Sequence, residues 1–263
     1  TPKRQLGNPK PRIFRLEKDQ ALINRLGFNN DGSEVVSKRI SKNNPTGFLG
    51  INIGPNKETK NKEEDYYICL SELFTHAGYI TINISSPNTE GLRNFHDQKE
   101  MEKLLIGLNK IKKDKKIIKP FAIKLSPDIK DEDINIIVEL IKKYNIQSII
   151  ISNTTDKNRE NLSDFKKNEL GGLSGQPLKD ISTGLIKKFY KETKGKIKII
   201  GVGGVDSGQS AFEKITAGAN AVQLYTGMVY KGPGIVKDIK KELISILKKE
   251  NLKNITQAVG INA

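Results

Sequence analysis

The stretch IKIIGVGGVDSGQSAFEKITAGANAVQLYTG, residues 197–227, decides the fold. It begins with a short run rich in isoleucine, Ile197–Val202, and a second apolar run follows at Ala221–Tyr225. Between these runs, Ser207–Ala217 has the apolar spacing of an amphipathic helix that begins at a serine N-cap. A strand, a helix and a second strand in this order predict parallel pairing with a right-handed crossover.

The same alternation runs through the rest of the chain. Short runs rich in isoleucine or valine predict further buried strands at Gly47–Ile53, Tyr79–Ser85, Pro120–Leu125 and Ser148–Ser152. Apolar residues at helical spacing predict helices near Glu63–His76, Met101–Ile111, Ile134–Ile141, Asp180–Thr193 and Ile235–Leu247.

Polar residues follow several of these strands. In a barrel such strand ends meet on one face and build a site from many strands, whereas a doubly wound sheet concentrates its site at one switch point. The distribution therefore predicts an α/β fold of the (β/α)8 TIM barrel type. Because the chain supplies six good strands and the barrel has eight, we expect the first two to lie before Thr1.

Composition limits the classes of protein that remain. The 263 residues have about the length of one barrel, so residues 1–263 are predicted to form a single catalytic domain. A single cysteine, Cys69, excludes an internal disulfide and a metal site built on several cysteines. The net charge of +15 comes from lysines on polar helix faces without interleaved aromatic residues, which does not indicate nucleic-acid binding. No apolar run has the roughly 18 residues of a membrane span.

Two glycine-containing segments are typical of a phosphate site. GVGG, Gly201–Gly204, ends a strand and is followed by the predicted N-cap Ser207. Backbone N–H groups at such a turn can hold a phosphate, assisted by the helix dipole. AVQLYTG, Ala221–Gly227, ends the next strand, and the loops after the last two barrel strands often form a phosphate site.

NISSPNTEGLRN, Asn83–Asn94, offers uncharged donors and acceptors in Asn83, Ser85, Ser86 and Asn88. On composition alone this segment also fits an ordinary strand-terminating turn. Further carboxamides stand beside predicted turns or strand ends, at Asn24, Asn52 and Asn153. Several such groups facing one pocket favour a flat, polar, cyclic imide or amide as the ligand.

Lys124 and one long connection leave alternatives open. Lys124 ends the apolar strand PFAIKL, where a lysine is either a surface residue or the partner of an anion such as a phosphate or a reduced cofactor.

Asn153–Lys179 contains GGLSGQP and is longer than the roughly 12–15 residues of most connections. It is either a lid or ligand-binding loop, which its position after a strand favours, or a disordered insertion.

Taken together, these segments resemble the dihydroorotate dehydrogenases of class 2, the quinone-linked flavin enzymes of pyrimidine synthesis. The matching segments run from Thr1 to the end of the chain: TPKRQLGNPKPRIFRL, INRLGFNNDG, GINIGPNK, NISSPNTEGLRN, IKLSPD, SNTT, GGLSGQPL, IIGVGGVDSG and VQLYTG. The resemblance implies an FMN-containing barrel that oxidises dihydroorotate to orotate and passes electrons to a quinone.

The resemblance also implies roles for individual residues. Ser86 matches the catalytic base, a position that holds cysteine in class 1. The residues that match the substrate-binding set are Asn24, Arg25, Leu26, Gly27, Phe28, Asn83, Asn88, Asn153 and Thr154. Those that match FMN contacts are Asn52, Asn83, Lys124, Ser152, Gly175, Gly204, Tyr225 and Thr226. Lys124 would stabilise negative charge on the reduced flavin, and the resemblance implies no metal.

In this family a segment before the TP dipeptide supplies the first barrel strands, a flavin loop, a substrate lysine and a region that associates with the membrane. The resemblance therefore predicts that the chain corresponds to the C-terminal three-quarters of such an enzyme. It also predicts peripheral attachment, through that upstream region, to the cytoplasmic side of a bacterial inner membrane or to a mitochondrial inner membrane. Two alternatives remain: another FMN barrel, such as a tRNA dihydrouridine synthase, and an inactive fragment.

Overall fold

The computed structural model of the protein describes residues 1–86 and 97–263. In these residues the strands are β1 (Ile13–Leu16), β2 (Ala21–Asn24), β3 (Gly50–Ile53), β4 (Tyr79–Asn83), β5 (Phe121–Leu125), β6 (Ser148–Ile151), β7 (Gly172–Gly175), β8 (Lys198–Val202) and β9 (Ala221–Gln223). The helices are α1 (Ser33–Asn43), α2 (Lys62–Leu73), α3 (Gln98–Asp114), α4 (Asp131–Lys143), α5 (Lys179–Thr193), α6 (Gly208–Thr216), α7 (Thr226–Lys231) and α8 (Ile235–Lys249). Every predicted strand and helix is present, whereas α1 and α7 were not predicted.

The predicted strands form one parallel sheet in the order β3-β4-β5-β6-β8-β9. Each strand pairs with the next in this order and helices connect them, which is the arrangement of the wall of a (β/α)8 barrel. The predicted α/β barrel fold is therefore confirmed. The register places Asn83 of β4 opposite Lys124 of β5, and Lys124 opposite Ile150 of β6. The carboxyl ends of the strands thus bring the predicted polar residues to one face.

A second, antiparallel sheet of β1, β2 and β7 was not predicted. Its strands pair with Asn24 opposite both Ile13 and Gly172, so that β2 lies in the middle. β7 belongs to the long connection that follows β6, and this connection also contains short 3₁₀ turns at Phe165–Asn168 and Gln176–Leu178. These strands, IFRL, ALIN and GLSG, each hold at most one isoleucine and no valine, so they lack the runs that mark the parallel strands.

The main hydrophobic core lies between the parallel sheet and the helices that cover it. Ile123 and Ile149 of the sheet belong to one buried cluster with Leu70 of α2, Leu104 of α3 and Phe189 of α5. Burying one such side chain contributes about 1.5–3 kcal/mol. Because these residues come from successive βα units, the core fixes where the strand ends lie.

Local signals set the helix ends. α6 begins at the predicted N-cap, where the Ser207 side chain accepts from Ser210 N and Ser210 Oγ accepts from Ser207 N. The first turn of α4 carries three acidic residues and its last turn carries Lys142 and Lys143, which suits the helix dipole.

Cys69 is buried in α2, and burial raises the pKa of its thiol, so it lacks the character of a reactive nucleophile.

Within residues 1–86 and 97–263, no helix combines the length and apolar character needed to cross a bilayer. The same residues contain no cluster of three or more His, Cys, Asp or Glu side chains placed to hold a metal ion.

Candidate active site

A cavity of about 430 Å³ lies at the carboxyl ends of the parallel strands, between them and the antiparallel sheet. It brings together residues from segments far apart in the chain. The predicted site residues that line it are Asn24, Leu26, Lys124, Ser152, Asn153, Thr154, Gly175, Gly204, Tyr225 and Thr226. Val202 and Gly203 of the predicted GVGG segment also line it, as do residues that were not predicted, among them Arg15, Leu22 and Ser174.

Two carboxamides at the cavity hold each other in place. Asn153 Nδ2 donates to Asn83 Oδ1 at 3.3 Å and to Ser85 Oγ at 3.0 Å. Ser85 Oγ also lies 3.2 Å from Asn83 Oδ1, to which it donates. From behind the sheet, the Tyr66 hydroxyl donates to the Asn83 carbonyl at 2.6 Å. Asn83 and Ser85 are buried, so this network sets the orientation of the Asn153 carboxamide, which lines the cavity.

Ser86 follows this network directly after β4. It is buried, at 8% exposure, and is not among the residues that line the 430 Å³ cavity. Asn88 lies outside the described residues. The structure therefore brings Asn83, Asn153 and Thr154 together beside the segment that carries Ser86.

Lys124 presents an ammonium group to the cavity. It is partly buried, and desolvation lowers its pKa below the ordinary value of 10.5. Among the described residues it makes no hydrogen bond or ion pair. A cation placed in this way favours an anionic ligand, since a partner charge would offset the cost of its burial. The alternative of a surface lysine does not fit this position.

Gly203 and Gly204 form a second part of the wall, which we term the glycine cradle. Both have positive φ, 115° and 69°. A Cβ on Gly204 would lie 2.5 Å from Lys179 Cβ, so no side chain fits between the backbone and α5. Opposite the cradle, the hydroxyls of Ser174 and Thr226 lie 2.8 Å apart. The exposed backbone of such a turn is suited to a phosphate group.

One element of the predicted phosphate site needs correction. The start of α6 does not present all of its N–H groups to a ligand, because Ser210 N donates to Ser207 Oγ and Gly208 N donates to the Glu242 carboxylate. The dipole of this helix was expected to assist phosphate binding. Instead, Tyr225, Thr226 and Gly227 at the start of α7 line the cavity beside the cradle.

Several predicted residues lie elsewhere. Asn52 and Phe28 line a second cavity, of about 560 Å³, along β3. The Arg25 side chain forms an ion pair with Glu169 at 2.9 Å and stacks over the Phe14 ring. Gly27 has a φ of 72°, and its carbonyl accepts from Gln5 Nε2. In this segment only Leu26 reaches the 430 Å³ cavity.

The residues of the cavity wall that were not predicted carry only weak signals in the sequence. Ser174 stands in GGLSGQP, which was singled out only for its glycines. Arg15 and Leu22 belong to the hairpin that the patterning did not predict. Knowledge of that hairpin would have been needed to place them at the cavity.

Comparison with known proteins identifies the family. Residues 1–247 match the family model described as dihydroorotate dehydrogenase. A dihydroorotate dehydrogenase (quinone) of Bartonella tribocorum is 43% identical over 259 residues, which cover 97% of this chain and 72% of that protein. The Vibrio cholerae protein of the same name is 46% identical over 252 residues, covering 92% and 74%.

A solved structure gives the same result. The crystal structure of the enzyme from Eimeria tenella in complex with ferulenol has a TM-score of 0.95 and 37% sequence identity, covering 100% of this chain and 77% of that one. These matches disfavour the tRNA dihydrouridine synthase considered above. The chain therefore belongs to the dihydroorotate dehydrogenase family, and its relatives place it in the quinone-linked class.

Proposed function

We propose that the protein oxidises (S)-dihydroorotate to orotate and passes the electrons to a quinone, as a step of de novo pyrimidine synthesis. The cofactor in this proposal is FMN, whose flavin ring accepts the hydride from the substrate. One observation carries the proposal beyond family membership. A single cavity combines an ammonium that has no partner among the described residues, the glycine cradle and fixed carboxamides, which are the groups that an anionic flavin and a cyclic amide substrate require.

The residues of the cavity fit a phosphorylated flavin. Lys124 supplies a positive charge at a strand end, where negative charge on a reduced flavin would be stabilised. Gly204 and Gly175 have positive φ, and a Cβ on Gly175 would lie 2.8 Å from Ala21 Cα. Glycine is needed at both positions because an added Cβ would meet the chain's own atoms, and both glycines line the cavity. With Asn52, Asn83, Ser152, Tyr225 and Thr226, they form the proposed FMN-binding set.

The substrate would be held by carboxamides. Asn153 and Thr154 line the cavity, and Asn24 enters it from the end of β2. Asn83, Asn88 and the backbone of residues 25–28 complete the proposed substrate-binding set. Because the network behind Asn153 fixes its carboxamide, the substrate would meet preorganised donors and acceptors.

Ser86 is proposed as the base that removes the C5 proton of dihydroorotate. A serine hydroxyl is a weak base, so its own proton must pass to water or to a neighbouring hydroxyl as the substrate proton is taken. Burial beside the Asn83 network limits access of bulk water to this step. Because a quinone is the proposed electron acceptor, we propose that the protein associates peripherally with a membrane surface.

An anaerobic visible spectrum tests the proposal. The purified protein is loaded with FMN, and its spectrum is recorded before and after addition of dihydroorotate. We expect a bound-flavin spectrum that bleaches on addition. A bound flavin that stays oxidised would exclude dihydroorotate as the substrate, and an absence of bound flavin would contradict the cofactor assignment and leave the inactive-fragment alternative.

A further inference from the structure

Lys214 of α6 is a fully buried lysine with no part in the chemistry proposed above. Its Nζ donates to Ser182 Oγ at 2.6 Å, to Thr183 Oγ1 at 3.0 Å and to the Lys179 carbonyl at 3.2 Å. All three acceptors are uncharged and lie in the first turn of α5. Among the described residues no carboxylate forms an ion pair with Lys214, so only dipoles replace the water that it has lost.

The groups around Lys214 do not account for its charge as a feature that stabilises the fold. The nearby acidic groups, Glu213 and Asp180, pair with Lys179, whose Nζ lies 3.3 Å and 3.7 Å from their carboxylates. The first turn of α5 is the positive end of that helix, which disfavours a further cation. Desolvation lowers the pKa of Lys214 to about 7, which expresses the cost of burying its charge.

Lys214 lies directly behind the glycine cradle. Its side chain passes over Gly201 of β8, where a Cβ would lie 3.1 Å from Lys214 Cδ. Ser182, which accepts from Lys214, packs on Gly203, where a Cβ would lie 2.8 Å from Ser182 Oγ. One hydroxyl group therefore separates the buried ammonium from the backbone that lines the cavity. An anion bound on the cavity side would offset the cost of the buried charge.

We propose that Lys214 is a positioning residue that holds the first turn of α5 against the glycine cradle and places a positive charge behind it, which favours flavin with a terminal phosphate over unphosphorylated flavin. The inference rests on the proposed use of FMN. In this proposal the preference for phosphorylated flavin depends on Lys214, a side chain that does not touch the ligand. A purely structural role would affect both flavins alike.

The test compares FMN with riboflavin. At about pH 6, where Lys214 with its pKa of about 7 carries its charge, dissociation constants of both are measured by quenching of flavin fluorescence on the flavin-free protein, for the parent, for Lys214→Met and for Lys188→Met. Methionine keeps most of the apolar side chain and removes the charge. Lys188 is an exposed lysine of α5 paired with Asp131, so its replacement makes the same change in net charge at the surface.

We expect Lys214→Met to raise the dissociation constant of FMN on the order of tenfold and to leave that of riboflavin within about twofold. Lys188→Met should change neither. Equal weakening of both flavins, or no change in either, would overturn the role of Lys214. In those cases bleaching of the parent by dihydroorotate would still support the proposed function, whereas a parent that binds neither flavin overturns both proposals.

A second variant covers a failure of Lys214→Met to fold. Ser182→Ala removes the hydroxyl between the ammonium and Gly203 but keeps the lysine with its two other acceptors. We expect a smaller loss of preference for FMN over riboflavin. An unchanged preference in Ser182→Ala would show that the ammonium does not act through this contact.

Discussion

The buried charge of Lys214 should appear in the pH dependence of stability. In the folded protein desolvation lowers its pKa from 10.5 to about 7, while Glu213 and Asp180 raise it and Lys179 lowers it by smaller amounts. Between these two pH values the unfolded chain holds one more proton than the folded chain. The free energy of unfolding therefore rises with pH, by about 1.4 kcal/mol per pH unit for this one group.

Lys214→Met removes this contribution. Urea unfolding of the flavin-free parent and variant, followed at several pH values between about 7.5 and 9.5, isolates it, because the other titrating groups are common to both proteins. We expect the stability of the parent to rise relative to that of the variant by about 2.5 kcal/mol over this range. Parallel pH profiles would refute the argument, since they would mean that Lys214 keeps an ordinary pKa when folded. Lys188→Met, at an exposed site, should give a profile parallel to the parent.

Three further predictions concern the candidate active site. Ser86→Ala should lower turnover by at least about a hundredfold with flavin still bound, and equal rates for variant and parent would remove Ser86 from its role as base. Lys124→Met should lower the midpoint potential of the bound flavin in a spectroelectrochemical titration, because reduced flavin would lose a positive charge that stabilises it; an unchanged potential would contradict this. Gly204→Ala should lose FMN on gel filtration, because its Cβ would lie 2.5 Å from Lys179 Cβ at a φ of 69°, whereas Gly47→Ala, with nothing within 4 Å, should retain it.

The βα units could be predicted from the sequence because their signals are local. An apolar run such as Ile197–Val202 and the helix that begins at the N-cap Ser207 each depend on neighbouring residues, and both are observed within a residue or two of the prediction. The antiparallel strands IFRL, ALIN and GLSG each hold at most one isoleucine and no valine, so they give no such signal. The β1–β2 hairpin and its partner β7 were missed for this reason, and with them Arg15 and Leu22 of the cavity wall.

The types of chemistry at the site were also evident in the sequence. Carboxamides, glycines and a lysine at strand ends indicated a polar, partly anionic ligand, and family resemblance assigned roles to individual positions. Which of these side chains meet was not evident. Lys124 lines one cavity, whereas Asn52 and Phe28 line a second one, although all three residues were assigned to the same site.

The sequence by itself therefore determined the barrel type, the order of its main βα units and the family, because hydrophobic periodicity and motif order are properties of the chain alone. Only the tertiary structure decided the contact between Asn83 and Asn153, which are 70 residues apart, and the burial of Lys214. In the sequence Lys214 resembles any lysine on the polar face of an amphipathic helix. Its burial, its uncharged partners and its place behind Gly203 follow from how α5 and α6 pack against the sheet, and no local pattern encodes that packing.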